Sequence, residues 1–368
     1  MASSAAPRTD GRTSAPRVTI AQIAATAGVS TPTVSKVLNG RKGVSPATRA
    51  LIRELLQEHG YEPRTSQQRQ SSGLVEFVIR DLESLWATAL LQGAEREAAR
   101  TGTSLVVTVT HGRPVGDRHW IEHLAARRSD GVVLVVSDLE PGAKEQLARL
   151  RLPLVLVDPV GGANPSLPTV AATNWAGGLS ATEHLIGLGH RRIGIITGPM
   201  ELVCSQDRLD GYRAALTRAG LSTDDDLVRH GEFEEAGAYS NAAAHAESLL
   251  DMAEPPTAIF AGSDQQAYGV YQVARARGLS IPEDLSVVGF DDVPLCQWVS
   301  PPLTTVRQPL AEMAREATRM VLELSTAVDQ PAVRRELATQ LVVRESTAPP
   351  RRSRGTDTTA ARAASTDG

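Results

Sequence analysis

From Leu74 onward, short runs rich in β-branched residues alternate with longer amphipathic stretches, and this alternation narrows the fold more than any other feature of the chain. The strand candidates are VEFVI (75–79), SLVVTV (104–109), VVLVV (132–136) and PLVLVD (153–158), followed by RIGIIT (192–197), TAIFAG (257–262) and SVVGFD (286–291). Helical stretches fall between them, among them 85–100, 208–218 and 264–277. Runs that are apolar on both sides and separated by helices predict parallel strands covered on both faces. Two consecutive sets predict two doubly wound α/β lobes. Between such lobes, at the carboxyl ends of the strands, lies the usual place for a small ligand.

The first 63 residues follow another rule. Apolar residues recur at helical spacing in three short groups: Ile20, Ile23, Ala24 and Ala27; Val34, Val37 and Leu38; Leu51, Ile52, Leu55 and Leu56. Thr19, Ser30 and Ser45 suit the N-caps, with Pro46 at the first position of the third helix and Gly60 at its end. Ala24 permits a close helix crossing, Gly28 four residues later supplies a turn, and Val34 packs the second helix on the first. That spacing is the helix-turn-helix arrangement, whose second helix enters the DNA major groove.

Charge supports the division. The 368-residue chain has a net charge of −4, but residues 1–71 carry +6 and the remainder −10. A basic module ahead of an acidic body implies one part that meets a polyanion. The predicted organisation is a disordered tail (1–17), an all-α helix-turn-helix headpiece (18–63), a polar linker (64–73), a two-lobed core (74–347) and a second disordered tail (348–368). No apolar run approaches the roughly 18 residues of a spanning helix, and the N-terminus has no apolar signal core, so a cytoplasmic, membrane-free protein is expected. Two cysteines, Cys204 and Cys296, cannot form a disulfide framework or a cysteine-only metal site.

The segments GVSTPTVSKVLNGRKGVSPATRALI (28–52), EHGYEP (58–63), LGHRRIGIITGP (188–199), RLDGYRAAL (208–216), AGSDQQAYGVYQVARARGLSIPEDLSVVGFDD (261–292) and PPLTTVRQPLAEMA (301–314) resemble the lactose-repressor (LacI/GalR) family of bacterial transcription regulators. The resemblance runs from Val18 to Thr347. It implies a headpiece followed by a periplasmic-binding-protein-like core, a palindromic double-stranded DNA operator, a homodimer with a tetramer left open, and allosteric control by a small molecule, usually a sugar. It places Thr31, Pro32 and Lys36 where the recognition helix reads base edges. Lys36 can donate to guanine, as a point donor without the fork of an arginine. Thr19, Ser30, Thr33, Ser35 and Asn39 are capping or phosphate-contact candidates. The linker departs from the family, since Gln70 stands where a minor-groove leucine is typical. Arg64, Arg69 and Gln70 are therefore expected to make polar minor-groove or phosphate contacts instead.

For the effector, a sugar calls for paired hydrogen bonders and an apolar ring face. The resemblance puts Arg208 at the start of a helix and Asp264 after the strand TAIFAGS as hydrogen bonders, Trp86 and Phe233 as aromatic walls, and Asp158 as a further contact. Asn174, opening a helix with Trp175, is another candidate, and Cys204 is expected in a loop lining the pocket. A purine or other non-sugar effector is the alternative. A remote one is a metalloenzyme, because His119, Glu122 and His123 form H-x-x-E-H, although HWIEHLAARR also reads as an amphipathic surface helix. A transport-type binding protein would share the lobes but lack the basic headpiece. The expectation is a regulator with no catalytic residues, metal or cofactor.

Overall fold

The computed structural model describes residues 19–38, 43–59, 72–111, 113–135, 142–159, 167–233, 238–326 and 332–351. The chain divides into two compact units, residues 1–70 and 71–368.

In the first unit, α1 (Ile20–Thr26), α2 (Thr31–Leu38) and α3 (Pro46–Glu58) surround a small core of Ile23, Ala24, Val34, Val37, Ile52 and Leu55. Thr19 and Gln22 close a capping box at the start of α1, and the Ser45 hydroxyl accepts from the Thr48 amide ahead of Pro46. Gly28 turns the chain at φ +64°, a conformation that costs glycine little. The expected contacts are present except at Leu51, which is exposed. Gly60, the expected stop of α3, lies outside the described residues; the helix ends at Glu58.

The second unit contains two six-stranded sheets. Lobe 1 has β1 (Leu74–Ile79), β2 (Ser104–Val109), β3 (Gly131–Val135), β4 (Leu154–Val157), β5 (Thr169–Ala172) and β11 (Arg334–Leu337), in the order β11-β5-β4-β3-β1-β2 and wholly parallel. One face packs on α4 (Leu85–Thr101) and α12 (Leu310–Thr326), the other on α5 (Arg118–Arg127) and α6 (Ala143–Arg149). Lobe 2 has β6 (Ile193–Thr197), β7 (Val228–His230), β8 (Ala258–Ala261), β9 (Ser286–Asp291), β10 (Thr304–Arg307) and β12 (Gln340–Val342), in the order β12-β10-β9-β8-β6-β7, with only β12 antiparallel. It is covered by α7 (Asn174–Gly187) and α8 (Val203–Arg218) on one face and α9 (Ala238–Leu250) and α10 (Asp264–Ala276) on the other, with α11 (Leu295–Trp298) beside β9.

The lobes are doubly wound as expected but not consecutive. After β10 the chain returns to lobe 1 as α12 and β11, then crosses again to β12. It therefore passes between lobes three times. Apolar side chains of α12, Met313, Ala314, Ala317, Met320 and Val321, complete the lobe 1 core begun by Val75, Phe77 and Ile79. The first and third passages are stitched together: the Thr339 amide donates to the Thr173 hydroxyl at 2.9 Å, and the Thr339 hydroxyl to the Thr173 carbonyl at 3.2 Å.

Both expected boundaries of the body shift. Ser72 and Gly73, read as linker, are fixed by their amides on the Asp130 carboxylate at 3.1 and 3.0 Å. Ala348 to Arg351, read as tail, are attached to lobe 2. The Ala348 amide donates to Ser286 Oγ, its carbonyl meets His190 Nε2 at 2.9 Å, and Arg351 pairs with Asp284. Backbone hydrogen bonds of this kind leave no hydrophobic pattern in a sequence. No helix among the described residues is long and apolar enough to cross a membrane.

Candidate DNA-reading helix and effector cleft

On α2 the apolar Val34 and Val37 turn inward, so Thr31, Pro32 and Lys36 are exposed and Thr33 and Ser35 half-buried. Pro32 and Lys36, one turn apart, share a solvent-facing side. The Ser30 hydroxyl is 2.8 Å from that of Thr33, and the Thr19 hydroxyl is engaged by Gln22. Thr19 and Ser30 thus have local structural work at helix starts. Asn39, Arg64, Arg69 and Gln70 lie outside the described residues.

In the second unit a cleft of about 560 Å³, partly open to solvent, lies at the carboxyl ends of the strands. Lobe 1 contributes Arg80, Ser84, Trp86 and Asp158, and lobe 2 contributes Cys204, Arg208, Glu232, Phe233, Gln265 and Asp291, among others.

Arg208 is the centre of the cleft, and its position follows from small residues. Gly178 of α7 and Gly211 of α8 bring the two helices so close that a Cβ on Gly178 would be 2.3 Å from the Arg208 carbonyl oxygen. α8 begins at Val203, five residues before the expected start, so Arg208 sits in its second turn and Cys204 in the helix rather than a loop. Arg208 as a whole is 4% exposed. Its Nε donates to Asn174 Oδ1 at 2.9 Å and its Nη1 to the Gly262 carbonyl at 2.5 Å, and it lies 3.8 Å from the centre of the Phe290 ring and 5.1 Å from that of Phe233. Asp291 Oδ1 is 3.9 Å from Nη2.

Asp158 directly follows β4 and Asp291 ends β9, at φ +44° and +117°, conformations that a non-glycine residue adopts only when its surroundings hold it there. Burial pushes the Asp158 carboxyl up to about 6, with the nearby Arg208 charge pulling the other way. Burial likewise raises Asp291 well above the usual carboxylate range, against Arg208 and a 2.6 Å hydrogen bond from Gln308 Nε2. Burial raises the Cys204 thiol to about 12, so it stays protonated.

Of the sequence candidates, Trp86, Asp158, Arg208 and Phe233 come together in the cleft, and two others do not. Asp264 is fully buried behind it. Its Oδ1 accepts from Thr305 Oγ1 at 2.6 Å and its Oδ2 from the Val293 amide at 2.9 Å, and a Cβ on Gly289 would lie 2.4 Å from Oδ1. Its oxygens fix the start of α10 to β10 and to the loop after β9, and it is not among the residues that line the cleft. Asn174 is also buried and orients Arg208 from behind. A carboxylate of the cleft wall that the sequence reading missed is Asp291. Its signal was available, because Asp291 closes SVVGFD just as Asp158 closes PLVLVD. Glu232 and Gln265, likewise missed, also follow strand ends.

The H-x-x-E-H stretch forms α5. The His119 and His123 rings are 4.0 Å apart, while Glu122 is paired with Arg118 at 2.7 Å. Among the described residues no group of three or more His, Cys, Asp or Glu side chains could hold a metal ion.

A helix-turn-helix unit joined in sequence to a two-lobed ligand cleft defines a ligand-responsive, DNA-binding transcriptional regulator. Residues 19–64 match the model described as bacterial regulatory proteins, lacI family, and residues 182–347 match the periplasmic binding protein-like domain. The chain is 35% identical over 345 residues to the HTH-type transcriptional regulator CelR of Thermobifida fusca, covering 90% of this chain and 98% of CelR. The solved CelR–cellobiose complex superposes with a TM-score of 0.68 at 34% identity, covering 90% of this chain and 100% of that one. A Lac repressor dimer bound to operator and the anti-inducer ONPF gives 0.65 at 27% identity, with 90% and 100% covered. The chain belongs to the LacI family of bacterial transcriptional regulators.

Proposed function

We propose that this regulator represses a carbohydrate-utilisation operon, that it binds a palindromic operator as a homodimer in the cytoplasm, and that a sugar in the interlobe cleft controls it. The observation that carries the sugar is the convergence of Arg208, Asp158 and Asp291 beside Trp86 and Phe233: acceptors and a donor for neighbouring hydroxyls, next to apolar ring faces. Cellobiose, bound by the similar CelR, is the first compound to try. Lobe closure around the ligand changes how two protomers hold their headpieces, and the ligand shifts operator affinity only as far as it prefers one state, typically about 1–3 kcal/mol. The homodimer reading draws support from β2, an uncharged edge strand with Val107 exposed, because open apolar edges are normally covered.

The test is a thermal-shift scan against cellobiose and other disaccharides, hexoses, pentoses and purines. A ligand at about 100 times its dissociation constant adds roughly 2.7 kcal/mol of stability. A sugar hit lost in Asp291→Ala supports the reading. A purine hit without any sugar hit overturns it.

A further inference from the structure

The H-x-x-E-H stretch of lobe 1 is left over once the DNA-reading helix and the effector cleft have been placed. We propose that His119 and His123 form a surface clamp for one borderline-soft divalent cation, of the class of Cu²⁺, Ni²⁺ and Zn²⁺, apart from the effector cleft and independent of the carbohydrate reading.

The geometry comes from α5. Residues four apart on a helix are neighbours one turn above each other, with Cβ atoms about 5–6 Å apart. Ile121 and Leu124 are buried in the lobe 1 core, which leaves His119, Glu122 and His123 exposed. The two imidazole rings already lie together, with centroids 4.0 Å apart and planes tilted by 54° rather than stacked parallel. A tetrahedral ion bound at about 2.0–2.1 Å needs its two nitrogens about 3.3 Å apart. Rotation about χ2, a broad torsion in histidine, covers that adjustment without moving the helix.

The ring nitrogens are also unspent. Among the described residues neither His119 nor His123 hydrogen-bonds through its ring, whereas His184 is engaged by Thr347, His190 by Thr257 and Ser286, and His230 by Thr197. All eight histidines of the chain are described, and no other two share a helix. Imidazole nitrogen suits zinc, copper and nickel, while magnesium and calcium take oxygen ligands, so the donor set fixes the class of ion. Glu122 is held by Arg118 at 2.7 Å, which leaves two protein donors and water for the remaining positions. Catalytic zinc sites keep three protein ligands, so this clamp captures an ion and activates no substrate. Along the first two turns of α5, Asp117 and Glu122 offset Arg118 and the positive end of the helix dipole, and a cation meets no net repulsion there.

The experiment is calorimetric titration of the full-length, untagged protein with nickel chloride near neutral pH, with magnesium chloride as the hard-cation control. The expected result is one Ni²⁺ per chain, no binding of Mg²⁺ at the same concentration, and Ni²⁺ affinity lower by at least about tenfold in His119→Gln and in His123→Gln, since even a supporting group costs a metal site that much. Both side chains are exposed and glutamine is a good helix former, so the variants should melt with the wild type. Copper supplies a second readout: the Cu²⁺ electron paramagnetic resonance spectrum of the wild type should show coupling to imidazole nitrogen and lose part of it in each single variant. Absence of Ni²⁺ binding at about millimolar concentration, Mg²⁺ binding as tight as that of Ni²⁺, or unchanged Ni²⁺ affinity in either variant overturns the clamp.

Discussion

Replacing Asp264 separates a structural carboxylate from a ligand-binding one. In the wild type its oxygens accept from Thr305 Oγ1 at 2.6 Å and from the Val293 amide at 2.9 Å. Asp264→Ala removes both acceptors and leaves a buried amide and hydroxyl unpaired. Hydrogen bonds to a charged group contribute about 1.5–3 kcal/mol each, so the gross loss is about 3–6 kcal/mol. Part is returned, because burial has already pushed this carboxyl up to about 6 and the cost of keeping it ionised disappears with it. At about 1.4 kcal/mol per pH unit, that relief is about 3 kcal/mol at most. With that relief in full, the net destabilisation is about 0–3 kcal/mol, which corresponds to a melting point lowered by up to roughly 12 °C in a body of this size. Asp291→Asn should behave in the opposite way. It stays hydrogen-bonded to Gln308 and costs little stability, but effector affinity falls roughly 2- to 13-fold through the loss of one hydrogen bond of about 0.5–1.5 kcal/mol to the ligand. Differential scanning fluorimetry, with calorimetric titration of the sugar giving the largest shift, reads both. An Asp264→Ala protein that melts with the wild type yet no longer binds the effector would refute this reasoning.

Four further outcomes are expected. Lys36→Ala should weaken operator binding by about 1–3 kcal/mol in a mobility-shift titration and leave effector affinity unchanged, since Lys36 is exposed on α2 and packs no core. Val107→Lys should lower the oligomeric state measured by light scattering and reduce operator affinity with it; an unchanged mass would remove β2 from the dimer contact. Gly178→Ala drives a methyl into the Arg208 carbonyl and should destabilise the body by about 1–3 kcal/mol or more and weaken effector binding together, as melting and titration would show. Effector affinity should rise from pH 5 to 7, by up to about tenfold per unit below pH 6 for a single group. The sign follows from Asp158, which is pushed up to about 6 among Arg208, Asp207, Arg334 and the Ala172 amide, and whose ionised form is the better acceptor for a hydroxyl. A flat profile would show that Asp158 does not accept from the ligand.

Most of the α/β pattern was legible because strands of helix-covered sheets are dense in apolar, β-branched residues even where a polar residue such as Glu76 intervenes: 75–79, 104–109 and 286–291 match their strands to within one residue. The strands that escaped notice, β5, β7, β10, β11 and β12, are three or four residues long. β11 and β12 are sheet edges with no fully buried residue, β11 largely exposed and β12 partly so, and little apolar signal remains. The return of α12 to lobe 1 was invisible for a different reason. An amphipathic helix states that it needs a partner, not which one. The same limit explains Asp264 and Asp291. Both are aspartates near strand ends, and only the direction of each carboxyl, one toward Val293 and Thr305 and one toward Arg208, separates a buried position from one in the cleft wall.

The three passages between lobes also set the order in which this protein can be made. Lobe 1 lacks one wall of its core and an edge strand until β11 has left the ribosome, roughly 165 residues after β5. At about 5–20 residues per second that is roughly 8–30 s, during which Val75, Phe77 and Ile79 face water while lobe 2 is still being synthesised. The body is therefore expected to be born nearly all at once, late in translation. A ribosome stalled before residue 326 should present a nascent chain that proteases cut readily within 74–172, even after much of the second lobe has emerged.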